Sequence, residues 1–316
     1  MIVELSDTTV DQVLKEIGRL RESGGVVALG RVLSLIIATT ADSVEEAIEA
    51  ANQASREHPC RIVVLATGDQ RKQTRLDAQI RVGGDAGASD VVVLYTSGQN
   101  AVESATLING FLLPDAPIVV WWPGTAPKIP AESGLGRIAH RRIVDTSAPT
   151  GVDAPTALKL LREGYRAGDT DLSWTRLTMW RNQVAAIFDT IDPASVLAAT
   201  VDGAENNAAT ILMGAWLQMQ LQIPVTLAST GTGPGLRSVR LVRRGGDIVL
   251  ARNEESPVAF LYQQDRKVQR ISLPRRSRQE CLTEELRRLD PDEFFGRVLA
   301  QGLPATNTKA VHPSAR

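Results

Sequence analysis

The side chains best suited to chemistry or recognition are gathered in a few places. Residues 171 to 181 read DLSWTRLTMWR and hold two of the five tryptophans, Trp174 and Trp180, with Arg176 and Arg181 beside them. Indole and guanidinium dominate protein interfaces, because each combines a large contact area with directed hydrogen bonding. The same groups could instead seal this chain's own domains against each other, or offer a ring on which a carbohydrate stacks. A second stretch, Ser229-Thr230-Gly231-Thr232-Gly233-Pro234-Gly235, is the glycine-rich loop with a composition to cradle a phosphate. It follows one strand-like run and precedes another, so no helix N-terminus would meet the anion, and Pro234 removes an amide donor. A plain connection is the simpler reading. Thr230, Gly231, Thr232, Gly233 and Gly235 stand as its candidate anion contacts.

Other chemistry is sparse. The three histidines are His58, His140 and His312, and only His140 has polar neighbours, Arg141 and Arg142, whose charge would depress its basicity. No cysteine, histidine or carboxylate cluster has metal-ligand spacing, so no metal, no cofactor and no catalytic set is expected. Cys60 and Cys281 read as reduced, buried thiols rather than a disulfide. From Leu236 to Arg288 there are 13 basic and 7 acidic residues. Outward-facing strand arginines account for the excess, and the interleaved aromatics that nucleic-acid stacking needs are nearly missing. With 35 basic and 36 acidic residues the whole chain is no polyanion binder. The N-terminus lacks a signal-peptide pattern, and the most apolar stretch, VVALGRVLSLIIATT, is too short for a bilayer span and interrupted by Arg31. A soluble, cytoplasmic protein that contacts neither membrane nor nucleic acid is expected.

The elements that must position these residues alternate between helix and strand. Val10, Val13, Leu14, Ile17 and Leu20 recur at helical spacing after Ser6-Asp7-Thr8. A β-rich run over 32–40 follows, then a helix after Asp42 and Glu45, a pair spaced as a capping box. CRIVVLA (60–66), DVVVLYT (90–96) and APIVVWW (116–122) read as buried strands, LDAQIRV (76–82) as an edge strand, and 98–110 as a helix. AHRRIVDTS (139–147) reads as a short strand, and Asp153 with Pro155 opens another helix. After Asp192-Pro193 come a strand at 195–201, an all-round apolar helix at 206–221, and a strand at 223–229. A hairpin then turns at Gly245-Gly246 and two further strands follow, before helices that start near Ser277 and Asp290. The expected fold class is α/β, in two mixed α/β domains. Residues 1–165 would form an N-terminal sheet with packed helices, 166–193 a connecting Trp/Arg helix, 194–303 an antiparallel-rich sheet with helices, and 304–316 a mobile tail.

On a helix at about 100° per residue, Leu177, Trp180, Val184, Ile187, Phe188 and Ile191 share one apolar face. Trp180 is then core, with Arg176 one turn away and placed to cover its ring. Trp174 and Arg181 fall together on a half-exposed margin, where they could seal the domain boundary or meet another chain.

AHRRIVDTS, DLSWTRLTMWR, ILMGAWLQMQL and RQECLTEELRRLDPDEFF, in this order, resemble the glucose-6-phosphate dehydrogenase assembly protein family, OpcA. The likeness runs from the first helix to about residue 302. Where the family usually reads Thr-Pro-Trp-Arg, this chain has Thr178-Met179-Trp180-Arg181, which places a helix start near Met179. The resemblance implies a non-catalytic partner that binds the NADP-dependent glucose-6-phosphate dehydrogenase, promotes its active oligomer and raises its activity, feeding the oxidative pentose phosphate pathway. On that reading Trp174, Arg176, Trp180 and Arg181 are the expected partner contacts, with Arg141 and Arg142 behind them. The alternative from another class is a phosphosugar- or nucleotide-binding regulatory sensor that uses Thr230–Gly235.

Overall fold

A computed structural model describes residues 1–24, 30–82, 90–230, 234–253 and 256–306. Its contacts divide the chain into two compact units, neither continuous in sequence. One comprises Met1–Ala148, Gly168–Thr170 and Arg278–Pro291; the other comprises Pro149–Ala167, Asp171–Ser277 and Asp292–Arg316.

The first unit begins with β1 (Ile2–Leu5) and α1 (Val10–Gly24), followed by β2 (Leu33–Thr39), α2 (Val44–Ser55), β3 (Cys60–Thr67), β4 (Arg75–Arg81) and β5 (Val91–Ser97). After α3 (Ala105–Ile108) come β6 (Ile118–Trp121) and β7 (Arg141–Val144). Strands β5, β3, β2, β6 and β7 run parallel, with β4 antiparallel beside β5 and β1 antiparallel beside β4. Parallel strands are covered on both faces, which explains why β2, β3 and β5 are almost unbroken apolar runs with nearly every residue buried. In chain order the parallel strands lie third, second, first, fourth, fifth, the doubly wound arrangement. Strand order therefore reverses between β2 and β6, and their carboxyl ends border a crevice there.

The second unit begins with α4 (Ala154–Gly164), whose N-cap Asp153 accepts from the Thr156 amide at 2.7 Å. The chain returns to the first sheet for β8 (Asp169–Asp171), outside β7, and then forms α5 (Leu172–Thr175), α6 (Thr178–Ile187), β9 (Val196–Gly203), α7 (Ala208–Leu221) and β10 (Val225–Ala228). An antiparallel meander of β11 (Leu236–Arg243), β12 (Ile248–Arg252), β13 (Val258–Gln263) and β14 (Gln269–Ser272) completes a sheet ordered β10-β9-β11-β12-β13-β14. Gly246 takes φ +93° in the β11–β12 turn, the left-handed region that glycine enters without strain. Helix α8 (Arg278–Arg287) belongs to the first unit and packs on α2; α9 (Glu293–Arg297), a π-helical turn (Val298–Gly302) and α10 (Leu303–Ala305) belong to the second.

Several expectations change. The Trp/Arg segment is two helices rather than one, broken at Arg176-Leu177, with α6 starting at Thr178, one residue before Met179. Helix 98–110 contracts to the single turn of α3, flanked by 3-10 turns. Asp42 and Glu45 form no capping box: α2 has no side-chain cap bond at Ser43, and Glu45 is drawn away to Arg81. The reciprocal cap belongs to α1 instead, where the Thr9 amide donates to Gln12 Oε1 at 2.9 Å and the Gln12 amide donates back to Thr9 Oγ1 at 3.3 Å. Of the segment expected to be a tail, residues 307–316 lie outside the described residues; Thr306 is buried and its hydroxyl donates to Gly302 O.

The apolar helix α7 is buried between β9 and β10 on one side and the Val298–Gly302 turn on the other. The turn comes so near that a Cβ on Gly302 would lie 2.2 Å from the Ala215 carbonyl oxygen. Because that neighbour is backbone, only a shift of the whole turn relieves the clash. Gly302→Ala is expected to cost about 1–3 kcal/mol, read as a lower thermal transition by calorimetry.

Candidate functional site

The Trp/Arg cluster forms within the second unit. Asp171 caps α5 by accepting from the Ser173 amide at 2.8 Å, and this sets Trp174 facing inward. Trp174 is 1% exposed, so it does not occupy the half-exposed margin that a single helix would have given it. Its indole Nε1 donates to Asp292 Oδ2 at 2.8 Å, and Phe295 and Phe294 lie at ring-centroid distances of 5.7 and 6.3 Å. The Arg181 guanidinium lies over its ring at 3.5 Å from the centroid, as the shared margin of Trp174 and Arg181 led one to expect. Arg297 stacks on Phe294 in turn, at 4.8 Å. Asp292 also caps α9 by accepting from the Phe295 amide. One carboxylate therefore ties Trp174 to the helix that supplies its aromatic neighbours.

Trp180 is core, as expected, and the Arg252 guanidinium of β12 lies 5.2 Å from its ring centroid. Arg252 is buried and donates to the Leu273 and Leu236 carbonyls at 2.9 and 3.1 Å. Burial, with a smaller push from Arg275, lowers its pKa to about 10.

Arg141 and Arg142 lie in the interior of the first unit. Arg141 pairs with Glu285 of α8 and donates to the Asp290 carbonyl, while Arg142 pairs with Asp169 of β8 and donates to the Ala139 carbonyl at 2.8 Å. His140 is exposed and accepts from the Ile118 amide through Nδ1 at 3.1 Å. Cys60 and Cys281 are buried and are not joined in a disulfide.

Around the glycine-rich loop, Gly231, Thr232 and Gly233 lie outside the described residues. The amide of Thr230 donates to Asp202 Oδ1 at 2.9 Å, and Arg237 grips the same carboxylate through Nε and Nη2, each at 3.1 Å. The Gly235 carbonyl accepts from the Ala204 amide. Burial alone would raise the Asp202 pKa, but its bonds to Arg237 and Thr230 outweigh that and hold it below the usual carboxylate range. Asp202 thus already holds the Thr230 amide.

The crevice between β2 and β6 offers an independent test of nucleotide chemistry. A dinucleotide fold needs glycines at the first strand–helix turn, so that backbone amides can approach the pyrophosphate. Here β2 leads into Thr40-Ala41-Asp42-Ser43, and the first turn of α2 carries Glu45 and Glu46. Glu45 binds Arg81, with one contact at 2.9 Å, and Glu46 accepts from Arg278 at 2.6 Å. The bond to Arg81 holds the Glu45 pKa below its ordinary value, so the carboxylate stays charged. These residues do not fit a nicotinamide dinucleotide: three acids surround the helix start where two phosphates would have to sit. Beside β6, Trp122 is fully buried and donates from Nε1 to Glu103 Oε1 at 2.7 Å. Among the described residues there is no cluster of His, Cys, Asp or Glu able to hold a metal ion, and no helix long and apolar enough to cross a membrane.

Fold and site together define a doubly wound α/β protein with a second mixed α/β unit and with acids in place of glycines at its first strand–helix turn. Two family models match in succession: the glucose-6-phosphate dehydrogenase subunit N-terminal domain over residues 51–163, and the C-terminal domain of the same subunit over residues 167–299. The chain belongs to this family, the OpcA glucose-6-phosphate dehydrogenase assembly proteins. No curated protein matches it. Among solved structures, it is similar to a 3-ketoreductase from Actinomadura kijaniata in complex with TDP-benzene and NADP, in an open conformation. That likeness is 13% identity over 89% of this chain and 98% of the other, with a TM-score of 0.50. An oxidoreductase from Sinorhizobium meliloti is 9% identical over 87% of this chain and 96% of its own, with a TM-score of 0.48. At such identities the likeness concerns fold alone.

Two outcomes follow. Trp174→Ala should cost about 3–5 kcal/mol, because it empties a fully packed site, whereas Arg181→Ala should cost about 1 kcal/mol. Chemical denaturation of both variants measures the difference, and equal small losses would show that Trp174 is not packed as described. For Glu103, burial raises the pKa, against bonds from Trp122 and Ser133 that lower it. A carboxyl with a raised folded pKa contributes stability that is full in acid and lost as pH rises through the folded value. Glu103→Gln, which keeps an oxygen for Trp122, should therefore be more stable than the parent at neutral pH, and the gap should close as pH falls into the carboxylate range. Thermal melts across pH 4–8 (roughly the span of the titration) check this.

Proposed function

We propose that this chain is a non-catalytic assembly subunit of NADP-dependent glucose-6-phosphate dehydrogenase, which acts in the cytoplasm as an allosteric activator supporting the oxidative pentose phosphate pathway. Family membership supports the partner. The observation that carries the non-catalytic part is the β2–α2 turn, where Asp42, Glu45 and Glu46 stand in place of phosphate-binding glycines. Like charges would face each other at close range there, while the helix N-terminus that would reward a phosphate is already screened by carboxylates.

Activation without chemistry needs only a differential affinity. A subunit that binds the assembled, active oligomer more tightly than its parts shifts the population toward it, and a preference of ~100-fold is worth ~2.7 kcal/mol. Trp174, Arg176, Trp180 and Arg181 contribute on this reading as the frame that fixes α5, α6 and α9, and with them whatever surface the unit presents. The sensor alternative is weakened by Asp202, which already takes the Thr230 amide.

Sedimentation of the chain mixed with the dehydrogenase, with activity followed in the same samples, should show a joint species and a rise in NADPH formation. The chain alone should give no saturable heat with NADP in calorimetry and no turnover of glucose 6-phosphate. Reduction of NADP by the isolated chain would overturn the reading.

A further inference from the structure

The six-stranded sheet of the second unit is covered on one face. Val239, Leu241, Leu250 and Leu261 are buried there, α7 lies on β9 and β10, and Trp180 of α6 lies against Arg252. On the opposite face the alternation places the partly exposed side chains, including Thr200, Val242, Val249, Ala251, Phe260 and Tyr262. The register lines them up in rows: Thr200 beside Arg240, Val249 and Tyr262, then Ser238 beside Ala251, Phe260 and Arg270. The Phe260 and Tyr262 rings stand together with centroids 6.4 Å apart, Tyr262 being 45% and the neighbouring Val268 51% exposed. Small and β-branched residues on this face leave a flat surface with an aromatic pair toward one side.

From this we infer that the open face of the β9–β14 sheet is the surface on which glucose-6-phosphate dehydrogenase docks, with acidic groups of that partner meeting a cationic edge. The inference rests on the proposed partner and adds where it binds. The size is suitable: six strands about 4.8 Å apart and four to eight residues long span roughly 600 Å² in projection, near the ~800 Å² per side of a stable complex once loops add to it. The composition is also that of an interface core, with Phe, Tyr and Arg flanking small apolar residues and no lysine inside the rows. Charge selects the occupant. Arg244, Arg266, Lys267 and Arg270 are exposed around the β11–β12 turn and the β13–β14 hairpin. Of the carboxylates nearby, Asp202 is engaged by Arg237 and Asp247 by Arg240, and Asp265 is one exposed acid among these four cations. A second copy of this chain paired face to face would set these cations against their own equivalents, whereas a partner with acidic groups would complement them.

The test measures binding of the full chain to the purified dehydrogenase by biolayer interferometry at low and at physiological salt, beside sedimentation of the chain alone. Tyr262→Lys should weaken binding at least tenfold with an unchanged thermal transition. The pair R266E and R270E should slow association, and should flatten its salt dependence. Parent binding that both variants preserve, with folds intact, would overturn the docking surface while leaving the partner reading in place. Failure of the parent itself to bind would overturn the partner reading, and the surface with it. Should the chain alone be a dimer that Tyr262→Lys converts to monomer, the occupant is a second copy and the inference is wrong.

Discussion

Doubly wound sheets reverse strand order at one place, and whatever lines that place governs whether a nucleotide can enter. In this protein the first strand–helix turn beside it carries acids and no glycine. The strand order that creates the crevice is intact, and the packing that maintains it, buried runs in β2, β3 and β5 with helices against them, is that of any parallel sheet. Only the turn has changed character. Acids at a helix start are good for the helix, since they complement its dipole, and for the same reason they use up the field that a phosphate would need. Arg81 and Arg278 then fix two of these acids, so the local charge balance closes without any ligand.

The second unit solves a different problem, how to hold short helices in register without long apolar faces. Helix α5 is a single turn and α9 hardly longer, and neither would persist alone. Asp292 joins them by capping one and accepting the indole proton of the other. Around that link Arg181 and Arg297 cap the two ends of a Trp174–Phe294 ring pair. The two indoles of the cluster are buried within this unit, while Arg176 and Arg181 remain partly exposed.

Periodicity made most strands and the long helices legible. CRIVVLA and DVVVLYT could hardly be anything but buried strands, and the all-round apolar character of 208–221 announced a helix between layers. Strand β8 left no trace, because Asp169, Thr170 and Asp171 are buried polar residues, and Arg142, which pairs with Asp169, lies 27 positions away. The depth of Trp174 was hidden for a related reason. A helical wheel assumes an unbroken helix, and the Asp171 cap with the break at Arg176-Leu177 rotates Trp174 inward. The pairing of Arg141 with Glu285 spans 144 positions, so no local pattern could reveal that this strand-borne arginine is spoken for. The open sheet face lay in the alternation of β11 to β13, but only the register shows Phe260, Tyr262 and Val249 as neighbours.

The route of the chain carries its own consequence for biogenesis. Helix α8, which packs on α2 and supplies Glu285 to Arg141, is made only after nearly the whole of the second unit has been synthesised. A nascent first unit would leave the ribosome with an arginine buried and unmatched, and one flank of α2 uncovered. Its completion must wait for translation to deliver the closing segment, at about 5–20 residues per second. Until then that flank of α2 stays open to other apolar surfaces of the growing polypeptide.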